Sequence, residues 1–202
     1  MRHGETALNA SQRLQGHSDA ALNDLGRRQA SALAQALATK QVDAVYSSPL
    51  RRAFDTASAI GDALRLPVET LPGLRELDIG VLDGLSGKDL RERFPDFARQ
   101  WAECPDIART PGGETMSELQ HRAWEAVTLI HSRHVDASVA VVSHSFTILS
   151  LMTRFLGMPL ANFKRWHVDL ASITTVEWQS DYAKLLGFNH RGHLDGLTEE
   201  RR

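Results

Sequence analysis

The stretch VDAVYSSPLRRAFDTA, residues 42–57, places a predicted β-strand directly before a predicted α-helix. Its first half is short, β-branched and aromatic, which is typical of a buried strand. Ser48 and Pro49 follow and suit a helix N-cap with proline at the first helical position, so we expect the helix to begin there and continue through Leu64. A strand that leads straight into a helix is the unit from which parallel α/β sheets are built.

The same order of elements recurs along the chain. Apolar residues at helical spacing predict a helix over residues 25–37. Residues 115–118 form a predicted capping box that opens a long helix toward His134, and SVAVVS, residues 138–143, indicates a strand that enters a helix over 145–156. SITTVEW and AKLLGFN are two further strand candidates. The sequence therefore predicts an α/β fold, a three-layer α/β/α sandwich with a mostly parallel central sheet.

The whole chain, residues 1–202, is predicted to form one domain. No internal repeat, low-complexity tract or long Pro/Gly/Ser linker divides it. The hydrophobic fraction of 42% is ample for a single core. We expect the segment of about residues 94–115 to form a lid-like insertion that decides which leaving group is accepted, because specificity resides in loops of this kind.

Composition narrows the classes of function. The 25 acidic and 23 basic residues nearly cancel, so no overall positive charge favours a nucleic acid or an anionic membrane surface as partner. The single cysteine, Cys104, cannot form an intramolecular disulfide, which fits a reducing compartment. The sequence shows neither a signal-peptide pattern nor an apolar run approaching about 18 residues, so we expect a cytoplasmic protein.

Cationic and imidazole side chains follow the two strongest strand candidates at their carboxyl ends, where open α/β sheets bind ligands. Arg51 and Arg52 follow the first strand, and His144 follows the other. Arg2 and His3 stand in the opening hexapeptide MRHGET and join the same pocket if that hexapeptide also lies at a strand end. A pocket of this composition predicts a phosphate ligand.

Several blocks of sequence, in order along nearly the whole chain, resemble the histidine phosphatase superfamily, which has the phosphoglycerate mutase-like fold. The blocks are RHGET (2–6), LQGHSDAALNDLGRRQA (14–30), LxRAxxTA (50–57), LRELDIGVLDG (74–84) and VSH (142–144). A lone RHG is weak evidence, whereas ordered blocks are specific. The chain most resembles the compact bacterial phosphatase branch that holds α-ribazole phosphatase and broad-specificity phosphatases.

The resemblance implies a role for each matching residue. His3 would attack phosphorus and carry a phosphohistidine intermediate. Arg2 and Arg52 would hold the phosphoryl oxygens with planar guanidinium groups, and His144 would donate a further hydrogen bond. Glu76 would be the general acid that protonates the leaving alkoxide.

Further pocket residues carry less evidence. Asn9, Gln15 and Gly16 fall where the family lines its phosphate and substrate pocket. Arg51 is assigned to solvent. The chain departs from the family pattern at Leu8 and Ser145, and also at residue 83, so we expect the shape of the pocket to differ from that of the relatives.

The identity of the acid remains open when the residues are considered without the resemblance. In that case Glu76 has little advantage over Asp78, Asp83 or Glu114.

Nine histidines raise a metal site as an alternative. His131 and His134 are three residues apart on a predicted helix, and His190 and His193 are three apart near the end of the chain. Neither pair has a third ligand at a spacing typical of zinc. We therefore expect no metal and no cofactor, with arginine and imidazole groups supplying the electrostatic stabilisation.

The resemblance implies a metal-independent enzyme that hydrolyses a small phosphomonoester. A mutase must shield its phosphohistidine from water, which calls for a closing tail or insertion. The tail here, GHLDGLTEERR, is short and charged, and the acid-bearing block lacks the RxYG-like run associated with mutases. A phosphatase is thus favoured over phosphoglycerate mutase-type transfer, and an inactive phospho-ligand-binding relative is the third alternative. The expected partner is a small phosphorylated substrate, and a homodimer is left open.

Only Met1 precedes Arg2, whereas in the family a central strand leads into the RHG block. We therefore expect a central strand of about five or six apolar residues to be missing and to be encoded just upstream. Without it, the strands in DAVYS and VAVVS are expected to lie roughly 10 Å apart.

Overall fold

The computed structural model describes residues 1–179 and 182–197. The strands are β1 (Ala44–Ser47), β2 (Val68–Thr70), β3 (Val139–Val142), β4 (Ile173–Trp178) and β5 (Ala183–His190). The α-helices are α1 (Ala7–Ala10), α2 (Asp24–Ala38), α3 (Arg51–Leu64), α4 (Gly87–Arg93), α5 (Pro95–Glu103), α6 (Met116–Arg133) and α7 (Ser145–Phe155). Short 3-10 helices cover Pro72–Leu74, Gly80–Leu82, Leu160–Arg165 and Gly192–Leu194.

Three strands form a parallel sheet in the order β2-β1-β3, and β4 and β5 form a separate antiparallel pair. Side chains that alternate along the strands enter two cores, as the pleat requires. Val45 and Val142 are buried with α2 and α3, whereas Tyr46 is buried with Ala126 and Ile130 of α6. The predicted α/β sandwich with a mostly parallel sheet is therefore confirmed.

Most of the predicted elements are present with small shifts at their ends. The capping box at Thr115 and Glu118 opens α6, as the sequence predicted. The start of α3 was predicted two residues too early, because Leu50 is the N-cap. Ser48 instead stays in the extended chain that follows β1, where its N–H donates to the Val142 carbonyl at 3.0 Å.

The segment of residues 94–115 contains α5 and packs against the helices near the carboxyl edge of the sheet. The Trp101 ring lies 5.8 Å from the Phe146 ring and 5.9 Å from the Phe163 ring, measured between centroids. The lid function of residues 94–115 stays a prediction. The charged tail considered above is described only as far as Leu197. No helix within the two described ranges has the length and apolar content needed to cross a bilayer.

The expected gap between the strands in DAVYS and VAVVS is wrong. β1 and β3 are direct neighbours, with Val45 opposite Ala140. The first residues lie on the other side of β3, where the Met1 ammonium donates to Val141 O at 2.8 Å and His3 N–H donates to Ser143 O at 3.1 Å. The RHG block therefore lies along the edge of β3 that faces away from β1, and not between the two strands.

A cavity of about 1450 Å³ lies on that side of β3. Its walls include Met1, Val139 and Val141 on one side and Ile173 and Thr175 of β4 on the other. Burial lowers the pKa of the Met1 ammonium to about 5. The cavity therefore has room for an added apolar strand beside β3.

We predict that a chain extended by about five apolar residues before Met1 is more stable than the chain that begins there. The added strand would fill the cavity and pair backbone groups along the edge of β3. Each buried group that gains a partner contributes roughly 1 kcal/mol, so the free energy of unfolding, measured in urea, should rise by several kcal/mol.

A glycine and serine extension of equal length is the matched control. The apolar extension should also remove a pH dependence. The folded pKa of the Met1 ammonium is depressed from 8.0 to about 5, so between these values only the unfolded chain binds the proton, and the stability of the shorter chain rises with pH toward 8. Equal stability for the two extensions contradicts the prediction.

Candidate active site

Two histidines and an arginine meet at the carboxyl edge of β1 and β3. His3 follows Met1 and Arg2, Arg52 lies in the first turn of α3, and His144 is the N-cap of α7. The His3 and His144 ring centroids are 5.1 Å apart, and Arg52 Nε lies 3.3 Å from His3 Nε2. All three side chains are buried. The structure therefore brings these three residues together at one sheet edge.

The tautomer of His3 follows from its two neighbours. Nδ1 lies 2.7 Å from the Gly4 carbonyl oxygen, which can only accept, so Nδ1 carries the hydrogen. Arg52 Nε, which can only donate, faces Nε2. Burial, followed by the charges of Arg52 and Arg2, holds the pKa of His3 well below its ordinary value of 6.5. The ring is thus neutral at physiological pH, with its lone pair on Nε2.

Gly4 permits this arrangement because no other residue fits its position. A Cβ atom on Gly4 would lie 2.5 Å from the Gly26 carbonyl oxygen, and this backbone atom belongs to the first turn of α2. The Gly4 N–H donates to Thr56 Oγ1 at 3.1 Å. The glycine of RHG and the threonine of LxRAxxTA therefore hold His3 against α3.

His144 is oriented by Ser48, a residue that the sequence assigned to a helix cap. His144 Nε2 lies 2.8 Å from Ser48 Oγ, which also accepts a hydrogen bond from the Leu50 N–H at 3.2 Å. If the hydroxyl gives its own hydrogen to Nε2, the ring hydrogen stands on Nδ1, a buried atom without a partner in the described residues. Burial and the charge of Arg52 keep the pKa of His144 well below 6.5.

Arg52 is held by a loop that the sequence identified as pocket-lining. Its NH1 donates to Ser18 O at 2.9 Å and its NH2 to Gly16 O at 2.7 Å. Asp83, one of the alternative acids, instead accepts hydrogen bonds from Ser18 N and Oγ at 2.8 and 2.9 Å. Burial lowers the pKa of Arg52 to about 10, so the guanidinium stays charged at neutral pH.

Arg2 approaches the same pocket from the amino terminus. Its NH1 donates to Val168 O at 2.7 Å, while its Nε is buried and unpaired among the described residues. Burial lowers the pKa of Arg2, and the negative charges of Glu76 and Asp169 oppose that shift. Arg2 therefore adds a second cation close to both histidines.

Glu76 lies at the amino-terminal end of α7. Its Oε1 accepts from the N–H groups of Leu77 at 2.9 Å and Thr147 at 3.3 Å, and its Oε2 accepts from the Phe146 N–H at 3.3 Å. Its charge acts on both Arg2 and Arg52. The carboxyl group is buried at 5% exposure, beside the cationic pocket.

The remaining predicted pocket residues have structural partners. Asn9 Oδ1 caps α1 by accepting from Thr6 N at 3.1 Å. Gln15 Oε1 accepts from Thr6 Oγ1 at 2.9 Å, while its buried Nε2 has no partner in the part of the chain that is described. Gly16 contributes its carbonyl to Arg52. Arg51, assigned to solvent, is exposed and pairs with Asp55.

Three of the four histidines considered for a metal site have other side-chain contacts. His131 stacks on Trp178 at 4.4 Å between centroids, His134 Nε2 lies 2.9 Å from Tyr46 OH, and His193 Nε2 donates to Ala171 O at 2.8 Å. Over residues 1–179 and 182–197, no three His, Cys, Asp or Glu side chains cluster closely enough to hold a metal ion.

Comparisons with known proteins show the family to which the chain belongs. The family model described as histidine phosphatase superfamily (branch 1) matches residues 1–191, so the chain belongs to that superfamily. Phosphoserine phosphatase 1 of Hydrogenobacter thermophilus is 31% identical over 194 residues, which cover 96% of this chain and 92% of that protein.

Two solved structures share the fold over almost the whole chain. Bacillus stearothermophilus YhfR has a TM-score of 0.90 and 28% identity, covering 96% of both chains. The α-ribazole phosphatase from Shigella flexneri has a TM-score of 0.86 and 26% identity, covering 94% of both chains. The family inferred from the sequence blocks is therefore confirmed.

The two buried imidazoles predict a loss of stability in acid. Below pH 6.5 the unfolded chain binds protons at His3 and His144 that the folded chain excludes, so the free energy of unfolding falls as the pH falls. The substitution His144→Asn should reduce this slope by up to about 1.4 kcal/mol per pH unit, measured by urea unfolding between pH 5 and 6.5. An exposed control, His121→Asn, should leave it unchanged, and the prediction is wrong if the two variants behave alike.

Proposed function

We propose that the protein hydrolyses small phosphomonoesters through a phosphohistidine formed at His3 Nε2. The observation that carries this proposal is the lone pair of His3, which two neighbours direct into a buried cationic pocket. Phosphatase relatives in the same superfamily support the same reaction. The enzyme requires no metal in this scheme, because Arg2 and Arg52 stabilise the charge on the transferring phosphoryl group.

The first step transfers the phosphoryl group to His3. The Nε2 lone pair forms a bond to phosphorus while the bond from phosphorus to the ester oxygen breaks. The carboxylic acid of Glu76 gives its proton to the departing oxygen, which leaves as an alcohol. His144 Nδ1 and the arginines donate to the phosphoryl oxygens as their charge develops.

The second step returns the enzyme to its starting state. The Glu76 carboxylate takes a proton from water while the water oxygen bonds to phosphorus and the phosphorus–nitrogen bond breaks. Inorganic phosphate forms, and His3 recovers its lone pair. Glu76 again holds the proton that the next leaving group needs.

The leaving group would lie near Glu76, beneath the segment of residues 94–115, for which we propose a lid function. This proposal is supported by the contact between the Trp101 ring and the Phe146 ring, because the Phe146 N–H donates to Glu76. Phosphoserine and α-ribazole phosphate, suggested by the relatives' names, are the first substrates to test.

We further propose that the enzyme is cytoplasmic, as the lone exposed Cys104 suggests.

Phosphate trapped on His3 tests the covalent step. During turnover we expect acid-labile, base-stable phosphate on His3, full activity in EDTA, and release of inorganic phosphate as the product. His3→Ala should lose both the label and the activity. Loss of activity in EDTA with recovery in magnesium would refute the mechanism, and return of the phosphoryl group to an alcohol acceptor at the expense of water would identify a mutase.

Leaving-group dependence tests Glu76. We expect Glu76→Gln to lower turnover of an alkyl phosphate by roughly 100-fold, because an alkoxide needs the proton. Turnover of p-nitrophenyl phosphate should fall far less, since its phenolate leaves unaided. Equal losses on both substrates would assign the acid role to another residue, with Asp78 tested next.

A further inference from the structure

The segment that carries Glu76, residues 73–78, is held through its backbone carbonyls by one arginine. Arg122 of α6 donates through NH1 to Gly73 O at 2.9 Å and to Arg75 O at 2.8 Å. Its NH2 donates to Glu76 O at 2.7 Å. Three carbonyls of an irregular segment are thus bound to a single planar group on a long helix.

Arg122 is in turn held by Glu114, a residue in the segment of residues 94–115. The Arg122 Nε donates to Glu114 Oε2 at 3.0 Å, and NH2 donates to Oε1. The two side chains are only 23% and 17% exposed. Glu114 Oε1 also accepts from the Asp78 N–H at 2.9 Å. The ion pair therefore holds the segment on both sides of Glu76.

All five N–H donors of Arg122 are used by these five hydrogen bonds. Lysine has three donors and no planar fork, so it cannot reproduce the arrangement. Because no donor of Arg122 remains for a substrate, the residue can influence the reaction only through the segment that it binds.

The geometry points to a positioning function for this pair. We propose that Arg122 and Glu114 form a clamp that holds the Glu76 carboxyl group at the distance from the leaving oxygen that proton transfer requires. The opposite side of the carboxyl group rests on the N–H groups of Phe146 and Thr147. Thr147 Oγ1 also donates to Arg75 O at 2.8 Å, so α7 and the clamp fix the segment from two directions. This inference rests on the proposed acid function of Glu76.

The experiment compares Arg122→Lys with the parent enzyme on glycerol 2-phosphate and on p-nitrophenyl phosphate. A displaced acid should lower kcat on the alkyl substrate by about 10- to 100-fold, since a misplacement near 1 Å has effects of this size. We expect kcat on p-nitrophenyl phosphate, and both KM values, to change by less than about 3-fold. Circular dichroism verifies that each variant is folded.

Arg109→Gln is the matched control. Arg109 binds Glu118 and the Gly113 carbonyl at the start of the same helix, outside the Glu76 segment. The Arg109→Gln variant should leave the ratio of kcat on glycerol 2-phosphate to kcat on p-nitrophenyl phosphate unchanged. Glu114→Gln is the second test variant, because it keeps an acceptor for the Asp78 N–H while removing the charge, and it decides the matter if Arg122→Lys does not fold.

A double variant separates positioning from a general structural effect. In the Glu76→Gln background there is no acid to position, so Arg122→Lys should cost no further activity on the alkyl substrate. Additive losses, equal losses on both substrates, or an unchanged ratio in Arg122→Lys and Glu114→Gln would each overturn the inference.

The same data show which proposal fails. If Glu76→Gln has a leaving-group dependence and the clamp variants have none, the clamp inference alone is wrong. If Glu76→Gln itself has none, the acid function of Glu76 is wrong and the inference is overturned with it. If the parent enzyme hydrolyses neither ester, the proposed phosphatase function on such esters is wrong and the inference is overturned as well.

Discussion

The hydrogen bond between His3 Nδ1 and the carbonyl oxygen of the next residue determines which ring nitrogen of His3 carries the lone pair. A carbonyl can only accept, so the hydrogen is fixed on Nδ1 and the reactive lone pair on Nε2. Arg52 can approach Nε2 at 3.3 Å only while that nitrogen is unprotonated. In the proposed mechanism the direction of attack is therefore set by two residues adjacent in sequence, before any substrate enters.

The second constraint is the burial of positive charge without an acidic partner in direct contact. The terminal nitrogens of Arg52 bind the carbonyls of Gly16 and Ser18, whose dipoles stabilise a guanidinium without neutralising it. Asp83 does not bind Arg52 directly. It accepts hydrogen bonds from Ser18, whose carbonyl in turn binds Arg52. Arg2 and Arg52 thus place positive charge in a region of low dielectric, where each charge acts more strongly on a phosphoryl group than it would in water.

Local features of the fold could be predicted from the sequence, whereas long-range pairings could not. The strands and the capping box of Thr115 follow from patterns within a few residues. The neighbour of β3 depends on strand order, which no local pattern contains, so the expected separation of β1 and β3 was wrong. Ser48 met the requirements of a helix cap, yet its partner is His144, which comes from another strand–helix unit.

The candidate site shows the same division. His3, Arg52 and His144 could be named because each belongs to a distinctive sequence block, and Arg52 and His144 also follow predicted strands. Glu114 was considered as an alternative acid because a sequence does not show which groups surround a carboxylate. In the structure Glu114 is paired with Arg122. The guanidinium of Arg122 binds three carbonyls of a segment that precedes α6. The residues around Arg122 in the sequence give no indication of these contacts.

Three buried nitrogens, Arg2 Nε, Gln15 Nε2 and His144 Nδ1, have no partner among the residues described. Unsatisfied donors are costly, and a tetrahedral oxyanion supplies acceptors for such groups in one molecule. Inorganic phosphate meets that requirement as well as an ester does. We therefore expect inorganic phosphate to favour the folded state by mass action and to compete with the next substrate, so that accumulated phosphate slows turnover while protecting the enzyme from unfolding.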